Sequence, residues 1–194
     1  MNDEKKLAQQ IVITCRKLLL YGLTYASLGN VSARLGDNYI LITPSGVRFD
    51  ALEPDKIVKV DLDGNVVSNG KPSVELSMHL EIYRNFEEAR AVIHAHSIFS
   101  TILGSVKGDI IPMCEEAKLF GVEKIPVCKP AMHGTKELAK NVVDSLSKSR
   151  ATIIPYHGVV VYGDDLDNAL QVIEVVESSA KMNIIEALLT ATMI

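Results

Sequence analysis

The sequence lacks a surplus of positive charge. It contains 20 lysine and arginine residues against 24 aspartate and glutamate residues, which gives a formal net charge of -4. A nucleic-acid binder held by a basic surface needs the opposite balance, so we expect no nucleic-acid partner. A small anionic substrate is still compatible with this charge, because a local site can be positive on an acidic protein.

Cysteine is scarce, and long uninterrupted apolar runs are absent. The three cysteines have no metal-type spacing and predict reduced thiols in a cytoplasmic protein. They are Cys15, Cys114 and Cys128. The apolar stretch 11–20 is interrupted by Arg16 and Lys17, which is atypical of a signal peptide or a membrane span. We therefore expect neither a targeting segment nor a membrane partner.

The chain has no linker, internal repeat or low-complexity run. At 194 residues it is long enough to bury a large core, and we predict one α/β domain over residues 1–194. Helical patterns cover 3–21, 73–86, 97–103, 135–147 and 166–190. Strand-like segments cover 39–43, 57–62, 66–67, 91–95, 125–127, 151–155 and 159–162. Residues 23–34 are predicted to be rich in turns.

One short apolar strand ends in two histidines, His94 and His96. Side chains alternate faces along a strand, so these two imidazoles point the same way. A catalytic zinc takes three protein ligands and keeps one position open. The remaining histidines are His79, His133 and His157, and His157 stands out because it also ends a strand-like run. The alternative is a chance pair of histidines on a solvated strand end.

Two loops have the composition of an anion site. Residues 27–34 carry hydroxyls, an amide and a glycine, and residues 43–46 read Thr-Pro-Ser-Gly. A glycine lets backbone N–H groups approach an anion closely. Each loop taken singly is equally compatible with an ordinary turn.

Ser73 is a plausible N-cap for the predicted helix that runs to about residue 86. Glu75 would then lie in the first turn, where a carboxylate is stabilised by the helix dipole whether or not it has a catalytic role. His79 lies four residues further, on the same helix face as Glu75. It is either a partner that supports the site or a hydrogen-bonded core histidine, and we favour the core histidine.

Five short patches occur in one order along the chain. They are 29–34 (GNVSAR), 43–46 (TPSG), 71–75 (KPSVE), 94–96 (HAH) and 157–158 (HG). This ordered set resembles the zinc-dependent class II aldolase/adducin family, and within it the fuculose-phosphate aldolases. The resemblance extends from the first predicted helix to the last.

The resemblance implies a three-layer α/β/α sandwich around a mostly antiparallel sheet, assembled as a homotetramer with sites near subunit interfaces. It implies a Zn²⁺ cofactor whose ligands are His94, His96 and His157, and it makes Glu75 the acid/base group. It also implies that a set of loop residues binds the substrate phosphate. These residues are Ser27, Gly29, Asn30, Ser45, Gly46 and Ser73.

The implied reaction is reversible cleavage of a ketose 1-phosphate, such as L-fuculose 1-phosphate. Its products are dihydroxyacetone phosphate and an aldehyde such as lactaldehyde. The alternatives on the same zinc site are a sugar-phosphate epimerase, dehydratase or decarboxylase. A non-catalytic, adducin-like head is a further alternative, but such heads lack the metal histidines that this chain keeps.

The chain departs from the aldolase pattern at three places. Val74 replaces a second serine, and residues 113–117 lack the tyrosine that a neighbouring subunit provides in the aldolases. Glu115 and Glu116 occupy that segment, either as acid/base groups in place of the tyrosine or as a solvated pair. A glutamate near there also resembles the acid/base residue of the dehydratase branch. His133 lies where an aromatic residue often stands.

Overall fold

The computed structural model describes residues 3–192. Its strands are β1 (Asn30–Leu35), β2 (Tyr39–Ile42), β3 (Val58–Asp61), β4 (Ala91–Ala95), β5 (Ala151–Ile154) and β6 (Gly158–Gly163). Its α-helices are α1 (Asp3–Leu20), α2 (Leu76–Asn85), α3 (Ile98–Lys107), α4 (Lys136–Leu146) and α5 (Leu166–Thr192). Short 3-10 turns cover Phe49–Ala51, Pro54–Lys56 and Glu115–Phe120.

The six strands form one sheet in the order β3-β2-β1-β4-β6-β5, and every neighbouring pair is antiparallel. Side chains along β4 alternate between the two faces. Ala91, Ile93 and Ala95 join the core that contains α1, α3 and α5, whereas Val92 joins the core that contains α2 and α4. Helices therefore cover both faces, and the predicted three-layer α/β/α sandwich with an antiparallel sheet is confirmed.

The prediction of a turn-rich segment over residues 23–34 was wrong at its end, because Asn30 to Arg34 belong to β1. This strand is central: it pairs with β2 on one side and β4 on the other. Asn30 and Ser32 are polar, yet both are buried and hydrogen-bonded by side chains from α2. Burial with satisfied hydrogen bonds therefore overrides the loop-like composition of the segment.

Two further predictions were wrong in detail. Residues 125–127 form isolated bridges, with Ile125 opposite Ile110 and Val127 opposite Ile153, and no regular strand. The second arm of the predicted hairpin at 66–67 is likewise a single bridge from Val66 to Val60. Both segments are too short and too interrupted by turn or proline residues to continue a hydrogen-bonded ladder.

No helix within the described residues combines the length and the apolar character needed to cross a membrane. All three cysteines are free thiols; Cys15 and Cys128 are buried and Cys114 is half-buried. Burial raises the pKa of the Cys128 thiol to about 12, which makes that thiol unreactive at neutral pH.

Candidate metal centre and active site

Three histidine side chains converge where β4 ends and β6 begins. His94 lies in β4, His96 follows its last residue, and His157 immediately precedes β6, which is paired with β4. One nitrogen of each ring lies within 4.8 Å of the others. The sequence predicted that the first two share a face, and the antiparallel pairing of β4 with β6 brings the third beside them.

The hydrogen bonding of His94 fixes which nitrogen is free. Its Nδ1 lies 3.0 Å from the carbonyl oxygen of Val159. A carbonyl can only accept, so Nδ1 carries a proton and Nε2 is the nitrogen that faces the cluster. This Nε2 is buried, has no hydrogen-bond partner within residues 3–192, and lies 3.2 Å from Oε2 of Glu75. A ring nitrogen and a carboxylate oxygen this close need a proton or a metal cation beside them, so the donor set fits a metal ion.

Burial keeps the other two imidazoles neutral. Burial and the nearby rings of His94 and His157 lower the pKa of His96 to about 3. Burial, followed by the nearby ring of His94, also lowers the pKa of His157 below its usual value. Neutral imidazoles offer the nitrogen lone pairs that a divalent cation needs, so these rings stay competent ligands below neutral pH.

The backbone before His157 adopts a conformation that is rare for its residue type. Tyr156 has a φ of 58°, in the left-handed region, and its N–H donates to Oγ of Ser105 on α3 at 2.7 Å. A non-glycine residue there costs about 1–3 kcal/mol and persists only where surrounding contacts enforce it. The strained turn directs His157 back towards β4.

Glu75 lies beside the histidines and is 4% exposed. The prediction that Ser73 caps α2 was wrong: Glu75 itself occupies the N-cap position and α2 begins at Leu76. Ser73 Oγ instead accepts the backbone N–H of Glu75 at 3.2 Å. Burial disfavours the carboxylate, but the neighbouring His94 and the amide of Asn30 outweigh it and lower the pKa of Glu75.

A cavity of about 380 Å³ opens beside this cluster. Every residue predicted to bind phosphate lines it, and so do Glu75, His96, His157 and His133. His94 is completely buried behind them. No lysine or arginine is among the described residues that line the cavity, so an anion there would depend on neutral donors and on a bound cation. The phosphate candidates are Ser27, Gly29, Asn30, Ser45, Gly46 and Ser73.

Backbone pairing between the two loops decides which donors remain. The N–H of Ser45 donates to the carbonyl of Lys71, and the N–H of Ser73 donates to the carbonyl of Thr43. These two amides are therefore engaged, whereas the hydroxyl protons of Ser45 and Ser73 stay available to a ligand. Val74, which replaces a second serine, is 56% exposed and offers no donor.

Glu115 and Glu116 do not join this constellation. Both are exposed on the 3-10 turn Glu115–Phe120, and neither is among the described residues that line the cavity. Within a single chain, His133 is the additional titratable side chain at the cavity, with its ring 6.4 Å from that of His157.

The side chain of Asn30 is hydrogen-bonded to the Glu75 carboxylate. Its Nδ2 donates to Oε2 of Glu75 at 3.0 Å, and its Oδ1 accepts from Nε2 of His79 at 2.5 Å. His79 is completely buried with both ring nitrogens hydrogen-bonded, as expected of a core histidine, and its bond to Asn30 also makes it a partner of the site, so the two predicted alternatives are not exclusive. The same bonds also connect it to Glu75.

Sequence reasoning missed Ser32 and Tyr83, which continue this network. The sequence spacing of these residues could have indicated the network. Ser32 lies two residues after Asn30 on one strand, and Glu75, His79 and Tyr83 are four residues apart. Both spacings place side chains on a common face.

Comparison with known proteins agrees with this geometry. Residues 9–184 match the family model of the class II aldolase and adducin N-terminal domain. The chain therefore belongs to the class II aldolase/adducin family. This membership confirms the family predicted from the five ordered patches, and with it the lyase class.

Individual relatives carry two different activities in their names. An L-fuculose phosphate aldolase of Methanocaldococcus jannaschii is 37% identical over 180 residues, or 93% of this chain and 97% of the relative. A 3-oxo-tetronate 4-phosphate decarboxylase of Pectobacterium atrosepticum is 32% identical, covering 94% of this chain and 85% of the relative. A solved L-fuculose 1-phosphate aldolase superposes with a TM-score of 0.88 at 31% identity, covering 94% and 86% of the two chains.

Proposed function

We propose that this chain is a zinc-dependent aldolase that reversibly cleaves a ketose 1-phosphate, L-fuculose 1-phosphate or a close analogue. The products are dihydroxyacetone phosphate and an aldehyde such as lactaldehyde. One observation supports this proposal above the others: three imidazole nitrogens converge beside the Glu75 carboxylate, next to a cavity whose remaining lining is suited to phosphate. Relatives named for this reaction add support from sequence.

The proposed zinc ligands are His94, His96 and His157. Three protein ligands leave a coordination position for substrate, as catalytic zinc requires. When bound, Zn²⁺ supplies a Lewis acid that polarises the hydroxyl and carbonyl oxygens of the ketose. The chain holds the ligands in place through the His94–Val159 hydrogen bond and the strained turn at Tyr156.

Glu75 is the proposed acid/base residue. Its Oε2 is held by Asn30, whereas its Oε1 is buried without a hydrogen-bond partner in the described part of the chain. Oε1 is therefore the oxygen that exchanges a proton with the substrate carbon next to the carbonyl. In condensation, the ionised Glu75 takes a proton from that carbon. In cleavage, the bond between the two sugar halves breaks, its electron pair stays with the dihydroxyacetone phosphate half, and that carbon takes up a proton from Glu75 in its protonated form. The proton that the hydroxyl of the aldehyde half gives up closes the balance.

The hydroxyl proton of the departing aldehyde half needs a second acceptor. His133 is positioned for this task within one chain because it lines the same cavity. Glu115 and Glu116 lie away from the cavity of their own chain, so we propose an acid/base role for them only towards the site of a neighbouring subunit.

The phosphate is proposed to bind at the two loops, with Ser27, Gly29, Asn30, Ser45, Gly46 and Ser73 around it. Asn30 lines the same cavity, but its side-chain amide is already bonded to Glu75 and His79. Hydroxyl donors and glycine backbone suit a phosphate group, and the lack of a cationic side chain in the described lining makes these neutral donors important. Loss of the second serine at Val74 predicts weaker phosphate binding than in aldolases that keep it.

A second candidate function is decarboxylation of a related sugar-acid phosphate on the same zinc site. A relative of 32% identity named as a 3-oxo-tetronate 4-phosphate decarboxylase favours it over the remaining alternatives. Epimerisation and dehydration need the same metal and phosphate sites, but no relative named above favours them, so we rank them below cleavage and decarboxylation.

We further propose that residues 1–194 form one class II aldolase-like domain that assembles as a homotetramer in the cytoplasm. Exposed apolar side chains on α3 and α5 support association, because water-facing side chains of this size gain from burial. They include Ile98, Ile102, Ile185 and Leu188. The three free thiols are typical of a reducing compartment.

The deciding experiment is a coupled assay for dihydroxyacetone phosphate released from L-fuculose 1-phosphate by protein whose zinc content has been measured. Release establishes the reaction. Its absence with zinc bound contradicts the aldolase proposal, and carbon dioxide release from a 3-oxo-tetronate 4-phosphate then tests the decarboxylase.

Two variants test the site. Glu75→Gln should abolish exchange of the dihydroxyacetone phosphate proton with solvent while zinc stays bound, and undiminished exchange rules out Glu75 as the base. His94→Ala should lose both metal and turnover, and an active, zinc-loaded variant would exclude His94 as a ligand.

A further inference from the structure

A chain of four hydrogen bonds runs from the core of α2 to the Glu75 carboxylate. Tyr83 Oη lies 2.8 Å from Ser32 Oγ, and Ser32 Oγ lies 2.6 Å from Nδ1 of His79. His79 Nε2 lies 2.5 Å from Oδ1 of Asn30, and Nδ2 of Asn30 lies 3.0 Å from Oε2 of Glu75. All five residues are at most 5% exposed.

The donor and acceptor of each of these four hydrogen bonds follow from the Glu75 carboxylate at one end of the series. An ionised carboxylate only accepts, so Asn30 must present Nδ2 to Glu75 and Oδ1 to His79. Oδ1 accepts as well, which places the imidazole proton on Nε2 of His79. Nδ1 then accepts from the hydroxyl of Ser32, and Ser32 Oγ accepts from the hydroxyl of Tyr83. The polarity is uniform from Tyr83 to Glu75.

The surroundings keep each group in the required state. Burial lowers the pKa of His79 to about 3, so the ring stays neutral with one proton. Burial also raises the pKa of the Tyr83 hydroxyl, which therefore keeps its proton. Tyr83 is held in turn by Arg34, whose guanidinium lies 5.0 Å from the Tyr83 ring centre and donates to the Tyr83 carbonyl.

We propose that Tyr83, Ser32 and His79 are positioning residues of the active site. Acting through Asn30, they hold the Glu75 carboxylate in one orientation, with Oε2 anchored and Oε1 left to exchange a proton with substrate. The inference rests on the proposed role of Glu75 as the acid/base residue. It assigns a function to three core residues that are not among the three converging histidines and do not line the cavity.

The geometry explains why so long a chain is useful. Glu75 is the N-cap of α2, but its side chain makes no hydrogen bond to the helix, so the orientation of its carboxylate depends on the amide of Asn30. A buried, fully satisfied network of uniform polarity has one low-energy arrangement, since reversing one bond leaves a donor facing a donor. A fixed carboxylate costs less reorganisation when the proton is transferred.

The first test uses NMR of protein labelled with ¹⁵N-histidine, with the His79 signals assigned from their loss in His79→Gln. We expect the Nε2–H tautomer and slow exchange of that proton with water. A proton on Nδ1, or a doubly protonated ring at neutral pH, overturns the proposal whatever the reaction.

The second test compares the same substitution, tyrosine to phenylalanine, at two residues of the core that contains α2 and α4. Tyr83→Phe removes the first donor of the chain, whereas Tyr162→Phe removes a hydroxyl that bonds Glu88 at 3.1 Å, outside the chain. Tyr83→Phe should speed exchange of the His79 Nε2 proton and lower kcat about 10- to 100-fold, with KM and zinc affinity unchanged. Tyr162→Phe should change neither the exchange rate nor kcat.

The outcomes separate this inference from the proposed function. Equal effects of the two variants on proton exchange and kcat overturn the positioning role. If the wild-type protein has no aldolase or exchange activity, the proposed function fails. The NMR measurements on His79 still decide whether the series of hydrogen bonds from Tyr83 to Glu75 is present. His79→Gln keeps one donor and one acceptor, so it should retain more activity than His79→Leu; equal activity contradicts the chain.

Discussion

Gly158 lies against the backbone of Ala95 so closely that a side chain has no room. An ideal Cβ at Gly158 would lie 2.5 Å from the carbonyl oxygen of Ala95 and 2.9 Å from Cε1 of His94. The contact lies between β4 and β6, beside the histidine cluster. The missing side chain at residue 158 therefore allows His157 to approach the two histidines of β4.

Gly158→Ala should destabilise the protein and weaken zinc binding, because the added methyl group displaces the backbone of Ala95 and the ring of His94. Overpacking of this kind costs about 1–3 kcal/mol. Urea unfolding and competition for zinc with a chelator measure the two effects. Gly22→Ala is the control: alanine is strained at the φ of 67° that Gly22 adopts, but no atom of a non-adjacent described residue lies within 4 Å of the new Cβ. It should lose stability without losing zinc affinity, and an equal loss of affinity would exclude the packing explanation.

Removal of metal should lower the melting temperature, and zinc should restore it. A ligand that binds only the folded state stabilises it by about 2.7 kcal/mol at a concentration 100 times its Kd. His96→Ala should abolish the restoration, because two nitrogens remain of the three that converge. His133→Ala should keep it, since His133 is outside that group. Differential scanning calorimetry before and after chelation makes the comparison, and a zinc response that survives His96→Ala contradicts the ligand assignment.

The stability of the metal-free protein should fall as the pH drops below about 6.5. The pKa of His79 is about 3 in the folded state, against an ordinary value of 6.5. Between these two pH values His79 is protonated in the unfolded chain but not in the folded chain. The stabilisation is complete above pH 6.5 and is lost progressively towards pH 3. By about pH 5 this residue alone should account for a loss of about 2 kcal/mol.

Urea unfolding between pH 7 and pH 5 measures this loss. His79→Gln removes the titrating group and should flatten the profile by about the same amount, although its stability at pH 7 is lower. An unchanged slope in His79→Gln would show that His79 is not the source of the pH dependence.

Glu177 is the side-chain cap of α3. It is 2% exposed, and its carboxylate accepts the backbone N–H groups of Phe99 at 3.2 Å and Ser100 at 2.9 Å. The hydroxyl of Ser100 also donates to it, at 2.8 Å. Glu177→Ala leaves these donors unsatisfied and should cost about 1–3 kcal/mol of unfolding free energy. Glu186→Ala, an exposed position on the same helix, should change stability by less than about 0.5 kcal/mol. Similar losses in the two variants would contradict the capping role.

The two halves of the site differ in how far sequence could predict them. The pair His94 and His96 follows from strand alternation, which is a local rule, and the structure confirms that both rings point to one place. The apposition of His157 depends on the pairing of β4 with β6, in which His94 and Val159 are 65 positions apart in the sequence. No local rule fixes which strands become neighbours, so this ligand was predicted from family pattern and from its place at a strand end.

Local composition gave wrong predictions for the start of β1 and the start of α2. Asn30 and Ser32 read as loop residues because their side chains are polar. They lie in a central strand because α2 supplies hydrogen-bond partners for both. Ser73 has the residue type of an N-cap, but its hydroxyl accepts the N–H of Glu75 and the helix begins later.

The sequence by itself determined the α/β class, the helix and strand periods, the histidine pair and the composition of the two loops that line the cavity. Each of these depends on neighbours within a few residues, through strand alternation, helical spacing or turn chemistry. Only the tertiary structure decided that Asn30 holds Glu75, that Tyr83, Ser32 and His79 form one polarised chain, and that Gly158 lies against Ala95. These contacts join residues far apart in the chain, and packing of the sheet against α2 selects them.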